Sequence, residues 1–159
     1  MKRTILLTAL LAAGILILAG CAQSGTNTGA SVAGKSSGTA ITIFKSDSCG
    51  CCGVYTKYMD REGYNVTINT VRDTTAIKEQ YGVPAALQSC HTTVVGDYVV
   101  EGHIPSEAVE KLLSERPDIK GIALPGMPSG SPGMPGSKTG EWTIYALNND
   151  GSYDVFMKV

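Results

Sequence analysis

Charge is scarce in this sequence and almost balanced. The 159 residues include 13 Lys or Arg against 14 Asp or Glu, and charged residues make up 17% of the chain, against roughly 25% in average soluble domains. The sequence has no basic excess that could neutralise a phosphate backbone, and it has no acidic tail. We therefore expect no nucleic-acid partner.

Long apolar runs are also missing. The longest, from Ile5 to Leu18, is shorter than the roughly 20 residues of a membrane-spanning helix. Lys2 and Arg3 precede it and Leu-Ala-Gly-Cys21 closes it, which predicts a lipoprotein signal peptide over residues 1–20. Cys21 would then be the first mature residue and the lipidation site. The alternative is an ordinary secretory signal that happens to end beside a cysteine.

The same segment predicts the location of the protein. A lipid on Cys21 would anchor it to a membrane of the cell envelope, facing the periplasm. Ala22 follows the cysteine, where lipoproteins kept at the inner membrane of Gram-negative bacteria usually carry Asp, so an outer-membrane address is favoured there. Residues 21–39 are nearly all small or polar and predict a flexible tether. Residues 40–159 remain for one folded domain.

Within that domain, strand and helix patterns alternate. A strand at Ile41–Phe44 is followed by a small polar loop with three cysteines, and a helix fits Val54–Glu62. Later patterns predict a strand at 64–71, a helix from 73–75 to 80 or 81, a hairpin of 92–95 with 98–101, and a helix from 105 or 106 to 114 or 115. This β-α-β-α-β-β-α order, with cysteines after the first strand, resembles the α/β thioredoxin fold. A Pro/Gly/Ser loop with two methionines (121–140) and an added β-hairpin (142–147 with 153–159) complete the prediction.

Four cysteines remain once a lipid occupies Cys21: Cys49, Cys51, Cys52 and Cys90. Export permits disulfides, so two structural disulfides are one interpretation. However, the adjacent Cys51 and Cys52 make a poor mutual disulfide. A helix N-terminus stabilises thiolates, which are both nucleophiles and soft metal ligands. We therefore expect the four thiols to converge on a metal site.

Two other classes of function remain open at these cysteines. Cys49 and Cys52 form a Cys-x-x-Cys pair that would suit a thiol-disulfide oxidoreductase. Cys51 argues against it, because a third thiol between the working pair could attack a mixed disulfide. A zinc or iron-sulfur module is the other alternative, since four cysteines suffice for either.

Histidine and methionine extend the candidate ligand set. His91 follows Cys90 where thioredoxin-like proteins usually carry a cis-proline, and His103 ends the next predicted strand. Either histidine alone would more often be a hydrogen-bonded or surface residue. Met127 and Met134 lie in two copies of Pro-Gly-Met-Pro. Thioether sulfur suits Cu(I) and suits zinc or iron poorly. The alternative is a linker with incidental methionines.

Four motifs in the same order carry a resemblance to a known family. They are Cys49-Gly50-Cys51-Cys52-Gly53, Ser89-Cys90-His91-Thr92, Val100-Glu101-Gly102-His103-Ile104-Pro105, and Gly121-Ile122-Ala123-Leu124-Pro125-Gly126-Met127-Pro128 with Ser131-Pro132-Gly133-Met134. Over about Ile41 to Val159 the chain is similar to the bacterial family named domain of unknown function 411. Its members include periplasmic copper-resistance proteins called CopG. The resemblance implies a thioredoxin-like fold and copper binding through the matching Cys, His and Met positions. It does not decide whether the protein is an enzyme.

The residues and the resemblance together predict an envelope lipoprotein that binds Cu(I) in a thiolate-rich site able to hold several ions. Its task would be copper resistance, by sequestration, by transfer, or by cycling Cu(I) and Cu(II). A copper efflux protein or chaperone is a candidate partner. The candidate metal ligands are Cys49, Cys51, Cys52, Cys90, His91, His103, Met127 and Met134.

Overall fold

Short runs rich in Val, Ile and Thr form the strands of one mixed sheet in the computed structural model, which describes residues 38–159. The signal peptide, Cys21 and most of the predicted tether lie outside the described residues. Within them, the strands are β1 (Ala40–Ser46), β2 (Asn65–Val71), β3 (His91–Val95), β4 (Tyr98–Glu101), β5 (Gly121–Ala123), β6 (Thr143–Leu147) and β7 (Tyr153–Lys158). The helices are α1 (Gly50–Arg61), α2 (Thr75–Gln80) and α3 (Ser106–Glu115), with a 3₁₀ turn at Ala85–Leu87.

The strand order across the sheet is β2-β1-β3-β4-β5-β6-β7. The β1–β2 and β4–β5 pairs are parallel, and the other pairs are antiparallel. A parallel pair needs a crossover connection. Helix α1 supplies it between β1 and β2, and α3 supplies it between β4 and β5. The protein is therefore an α/β domain whose seven-stranded sheet carries three α-helices in the described part of the chain.

Apolar side chains cover both faces of the sheet. The larger core joins α1 and α3 to one face through residues such as Tyr55, Leu112 and Val100. The smaller core packs Val83 and Leu87, near α2, on the other face against Val99, Ala123 and Leu147. Successive strand residues point to opposite faces, so β4 contributes Val100 to one core and Val99 to the other. Glu101 therefore points to the same face as Val99.

Two boundary predictions were wrong in an informative way. Helix α1 begins at Gly50, not at Val54, because the cysteine segment itself forms the first turn. Residues 121–140 were predicted to be entirely loop, yet Gly121–Ala123 pairs with β4 and β6 as β5. The strand is only three residues long, too short for its own sequence to predict it. It forms through pairing with β4 and β6, which are distant in sequence.

Within residues 38–159, every helix is too short or too polar to cross a bilayer.

Candidate metal centre

The first turn of α1 holds three of the candidate cysteines. Cys49 is the N-cap, with φ −80° and ψ 91°, and its N–H donates to the Ser46 carbonyl at 3.2 Å. Cys51 and Cys52 follow inside the helix, where the first N–H groups have no partner within the helix. No acidic residue lies in this turn, so the positive end of the helix dipole faces the sulfurs uncompensated.

The four cysteine sulfurs lie within 4.8 Å of one another. Cys52 Sγ is 3.6 Å from Cys90 Sγ across 38 residues of sequence, and Cys49 Sγ is 3.6 Å from Cys51 Sγ. Cys49 and Cys52 form a disulfide, whereas Cys51 and Cys90 are free thiols. The structure thus brings the predicted cysteine ligands together, with one pair of them oxidised.

Cys90 reaches this cluster from the segment just before β3. It lies between the 3₁₀ turn and His91, the first residue of the strand. No cis peptide bond occurs in residues 38–159. Burial, together with the adjacent Cys51 thiol, raises the pKa of Cys90 to about 12. Cys90 is therefore a protonated thiol at neutral pH.

Both predicted histidines lie beside Cys90. His103 Nε2 is 2.8 Å from Cys90 Sγ, and His91 Nδ1 is 3.4 Å from the same sulfur. His103 Nδ1 is 2.6 Å from the carbonyl oxygen of Pro132. A carbonyl only accepts, so Nδ1 carries the proton and Nε2 presents its lone pair to the sulfur cluster. This orientation is the one that a metal ligand requires.

Burial keeps the two imidazoles neutral. His91 and His103 are both 0% exposed. Burial lowers the pKa of His91 well below its usual value, and nearby His103 and Lys78 add to the effect. Burial also lowers the pKa of His103, against the opposing effect of the Pro132 hydrogen bond. A neutral imidazole is the form that binds metals, so no proton has to leave either ring first.

The loop of residues 125–136 folds over the first turn of α1. Gly133, with φ +83°, lies so close to the helix that a Cβ built there would be 2.8 Å from Tyr55 N and 2.9 Å from the Cys51 carbonyl oxygen. Backbone hydrogen bonds within the loop, such as Met134 N–H to the Ser131 carbonyl at 2.8 Å, hold its shape. The loop is therefore an ordered cover of the cluster, and the linker interpretation was wrong for this segment.

The two methionines of this loop occupy different environments. Met134 is half-buried and lines, with Cys51 and Val54, a shallow pocket of about 430 Å³. Met127 is 52% exposed. It follows Gly126, whose carbonyl accepts a hydrogen bond from the Ser89 hydroxyl. The structure therefore brings Met134 to the rim of the sulfur cluster and leaves Met127 at the surface.

The sequence patterns missed three residues around the centre. The ring centroid of Tyr55 is 4.4 Å from that of His91, and its hydroxyl donates to the Ile104 carbonyl at 3.0 Å. Lys78 and Glu101 form a buried ion pair that the patterns did not indicate. A carboxylate at a core-facing strand position was the one available signal, since such a group is seldom buried without a partner.

Comparison with known proteins bears on this centre directly. A family model described as "Protein of unknown function, DUF411" matches residues 87–134. Two solved structures, "Copper resistance protein copG- Form 1" and "Form 2", superpose with TM-scores of 0.71 and 0.72. Each is 37% identical, over 77% of this chain and 98% of that chain. The chain belongs to the DUF411 family. The resemblance inferred from the four motifs is thus confirmed.

No curated protein matches this DUF411 sequence. The family segment 87–134 contains Cys90, His91, His103, Met127 and Met134. The Cys/His cluster, together with relatives named for copper resistance, fits copper binding.

Proposed function

We propose that this protein is an envelope lipoprotein that binds Cu(I) through thiolates and serves copper resistance. The observation that carries the proposal is the meeting of Cys49, Cys51 and Cys52 with Cys90, all four sulfurs lying within 4.8 Å of one another. Soft thiolate ligands select Cu(I). Thiolates so closely spaced can also bridge neighbouring ions, so the site takes more than one copper.

Two neutral imidazoles and one thioether complete the proposed ligand set. His103 offers Nε2 beside Cys90, and His91 Nδ1 lies 3.4 Å from the same sulfur. Met134, at the rim with Cys51, is the entry ligand, because a thioether binds Cu(I) without competition from protons. Met127, being exposed, acts further out on the entry path.

The Cys49–Cys52 disulfide must open before all four sulfurs can bind copper. Its reduction consumes two electrons and two protons and yields two thiols, and an envelope thiol reductant or another dithiol protein must supply them. Cu(I) then displaces thiol protons as it binds. The reduced protein therefore binds copper with all four sulfurs. In the disulfide form, Cys49 and Cys52 are not available as thiolate ligands.

The fold itself supports a thioredoxin-like domain as part of the proposal. The parallel β1–α1–β2 unit is joined to the antiparallel β3–β4 hairpin and α3 in one sheet. The cysteines lie at the β1–α1 junction. The loop of residues 125–136 and strands β5 to β7 are then additions to that domain.

A second candidate function is thiol-disulfide exchange. The observation that favours it is the disulfide between Cys49 and Cys52, the Cys-x-x-Cys pair at the N-terminus of α1. Against it, Cys51 and Cys90 are free thiols within reach of that bond, and either could attack it or a mixed disulfide.

Copper loading of the full-length chain tests the proposal. The protein is loaded in its reduced form and in its disulfide form, passed through a desalting column, and analysed for metals and by X-ray absorption at the copper edge. We expect the reduced form to retain more copper, as Cu(I) with mostly sulfur ligands. Retention of zinc or iron in preference to copper, or copper held by nitrogen and oxygen alone, would refute the proposed function.

A further inference from the structure

A buried charged cluster lies on the opposite face of the sheet from the sulfurs. Lys78 Nζ donates to Glu101 Oε1 at 2.5 Å, and their side chains are only 4% and 0% exposed. Taking two charges out of water costs so much that a well-packed apolar pair often stabilises a fold equally well. This ion pair therefore calls for an explanation other than stability.

The hydrogen bonds of the carboxylate supply that explanation. Glu101 Oε1 also accepts from the backbone N–H of Ser89 at 2.7 Å, and Oε2 accepts from the Thr92 hydroxyl at 2.6 Å. Hydrogen bonds to an ionised acceptor are shorter and stronger than neutral ones. Ser89 and Thr92 flank Cys90 and His91 in the sequence. One carboxylate thus holds both ends of the dipeptide that carries two candidate ligands.

The sheet itself fixes only the His91 end of this dipeptide, where the Gly102 N–H also donates to the His91 carbonyl at 3.0 Å. The register of β3 with β1 starts at His91, opposite Lys45, and its register with β4 starts at Thr92, opposite Glu101. Cys90 precedes both. Without Glu101, the Ser89 N–H would lose its acceptor. The segment leading into Cys90 would then keep its hydrogen bonds to Gly126 but lose the one that joins it to β4.

We propose that Glu101 is a positioning residue for the metal centre, holding the Ser89–Thr92 segment so that Cys90 Sγ stays beside Cys52 and His103. Lys78 neutralises the buried carboxylate and holds it in place, and it also donates to the Thr92 hydroxyl oxygen at 3.2 Å. The inference rests on the proposed function, because the position of Cys90 matters to copper only if Cys90 binds it.

Two double variants separate the acceptor from the charge. Lys78→Met with Glu101→Gln keeps a neutral acceptor for Ser89 and leaves no unpaired charge. In the variant Lys78→Met with Glu101→Leu, the new side chains have volumes similar to those of the first variant, but the Ser89 N–H has no acceptor. Leu147→Ala, on the same face of the sheet, is the control for lost stability, because it touches none of the Glu101 hydrogen bonds.

The first measurement uses the copper-free disulfide form of the full-length chain, in which Cys51 and Cys90 are the free thiols of the described residues. Each is alkylated with iodoacetamide under native conditions and quantified by peptide mass spectrometry. We expect the Leu variant to raise the rate at Cys90 about tenfold, as the loss of a buried hydrogen bond implies, with Cys51 unchanged. The Gln variant should react like the parent.

A general loss of stability would not give this pattern, since unfolding exposes both thiols together. An unchanged Cys90 rate in the Leu variant, or an equal rise in Leu147→Ala, would overturn the positioning role. The second measurement is retention of Cu(I) by the reduced chain against a Cu(I) chelator, where we expect the Leu variant alone to release copper faster. A parent chain that binds no copper would overturn the proposed function and leave the alkylation result standing.

Discussion

Cys90 Sγ lies 2.8 Å from His103 Nε2, and this contact joins two groups of candidate ligands. One group is the four sulfurs, and the other is Cys90 with the two histidines. Because burial raises the pKa of Cys90 to about 12 and lowers that of His103, the contact joins a thiol to a neutral imidazole. The thiol donates, and a soft cation that binds here takes the place of that proton.

Cys51→Ser separates copper binding from dithiol chemistry. In the proposed site the change removes a bridging sulfur, so we expect fewer coppers per chain or faster loss to a Cu(I) chelator. A dithiol enzyme would keep or improve its reduction of insulin disulfides, because Cys49 and Cys52 remain. Cys21→Ser is the matched control, since it removes a cysteine outside the candidate centre. If Cys51→Ser binds copper like the parent and reduces insulin efficiently, the oxidoreductase function replaces our proposal.

The two methionines provide an independent test of copper entry. Leucine keeps the bulk of methionine and loses its sulfur. We expect Met134→Leu, beside Cys51, to weaken Cu(I) retention more than Met127→Leu, with little change in fold stability for either. Met157→Leu, packed against the core, is the control. Equal copper release from all three variants and the parent would remove thioether sulfur from the ligand set.

Gly133→Ala should lift the loop of residues 125–136 from α1. A Cβ there meets backbone atoms of Tyr55 and Cys51 at a positive φ, and we expect a loss of about 1–3 kcal/mol in unfolding free energy. Gly126→Ala matches the positive φ but meets nothing within 4 Å. The difference between the unfolding free energies of the two variants, measured by urea denaturation, gives the effect of the close contact between Gly133 and α1. Copper retention should fall with Gly133→Ala only, because this loop carries the Pro132 carbonyl that orients His103.

The copper-free fold should weaken in mild acid. The pKa values of His91 and His103 are depressed in the folded chain. In mild acid the unfolded chain therefore binds protons at these two histidines that the folded chain does not bind. Stability is therefore complete above about pH 6.5 and falls below it, by up to about 1.4 kcal/mol per pH unit for each histidine. The chain has only 2 His, so His91→Gln with His103→Gln should flatten the dependence between about pH 7.5 and 5.5 in urea denaturation. If the unfolding free energy of that double variant depends on pH as in the parent, the two histidines are not the cause of the acid sensitivity.

The lipid anchor is tested on Cys21. We expect Cys21→Ser to abolish incorporation of labelled palmitate and to leave copper stoichiometry unchanged, because residues 21–39 offer no other soft ligand. Ala22→Ser is the control and should still be lipidated. Label that persists in Cys21→Ser would exclude the lipoprotein assignment.

Local patterns sufficed where the structure is locally determined. Gly96-Asp97 between two β-branched runs predicted the β3–β4 hairpin, and β4 has the predicted limits of Tyr98 and Glu101. The predicted start of α1 was four residues too late, because small residues such as Gly50, Cys51 and Cys52 are more typical of a loop. In the structure these residues form the first turn of the helix.

Long-range contacts account for what the sequence did not predict. A lysine in a short helix and a glutamate at a strand end give no joint signal, so the Lys78–Glu101 pair emerges only when α2 packs on β4. The four cysteines were predicted to converge, and the disulfide joins the two with Cys-x-x-Cys spacing, Cys49 and Cys52. The Gly133 contact likewise needs a loop that returns to a helix about 80 residues earlier.

The parallel pairing of β4 with β5 has a consequence for the shape of any smaller version of this protein. If the chain stopped after Glu115, the backbone N–H and C=O groups of Val99–Glu101 that now pair with Gly121–Ala123 would become a bare rim. Bare rims of this kind recruit strands from other molecules. Strands β5 to β7 thus protect β4 from intermolecular pairing. A chain truncated after Glu115 would tend to aggregate and would not be a stable minimal copper-binding domain.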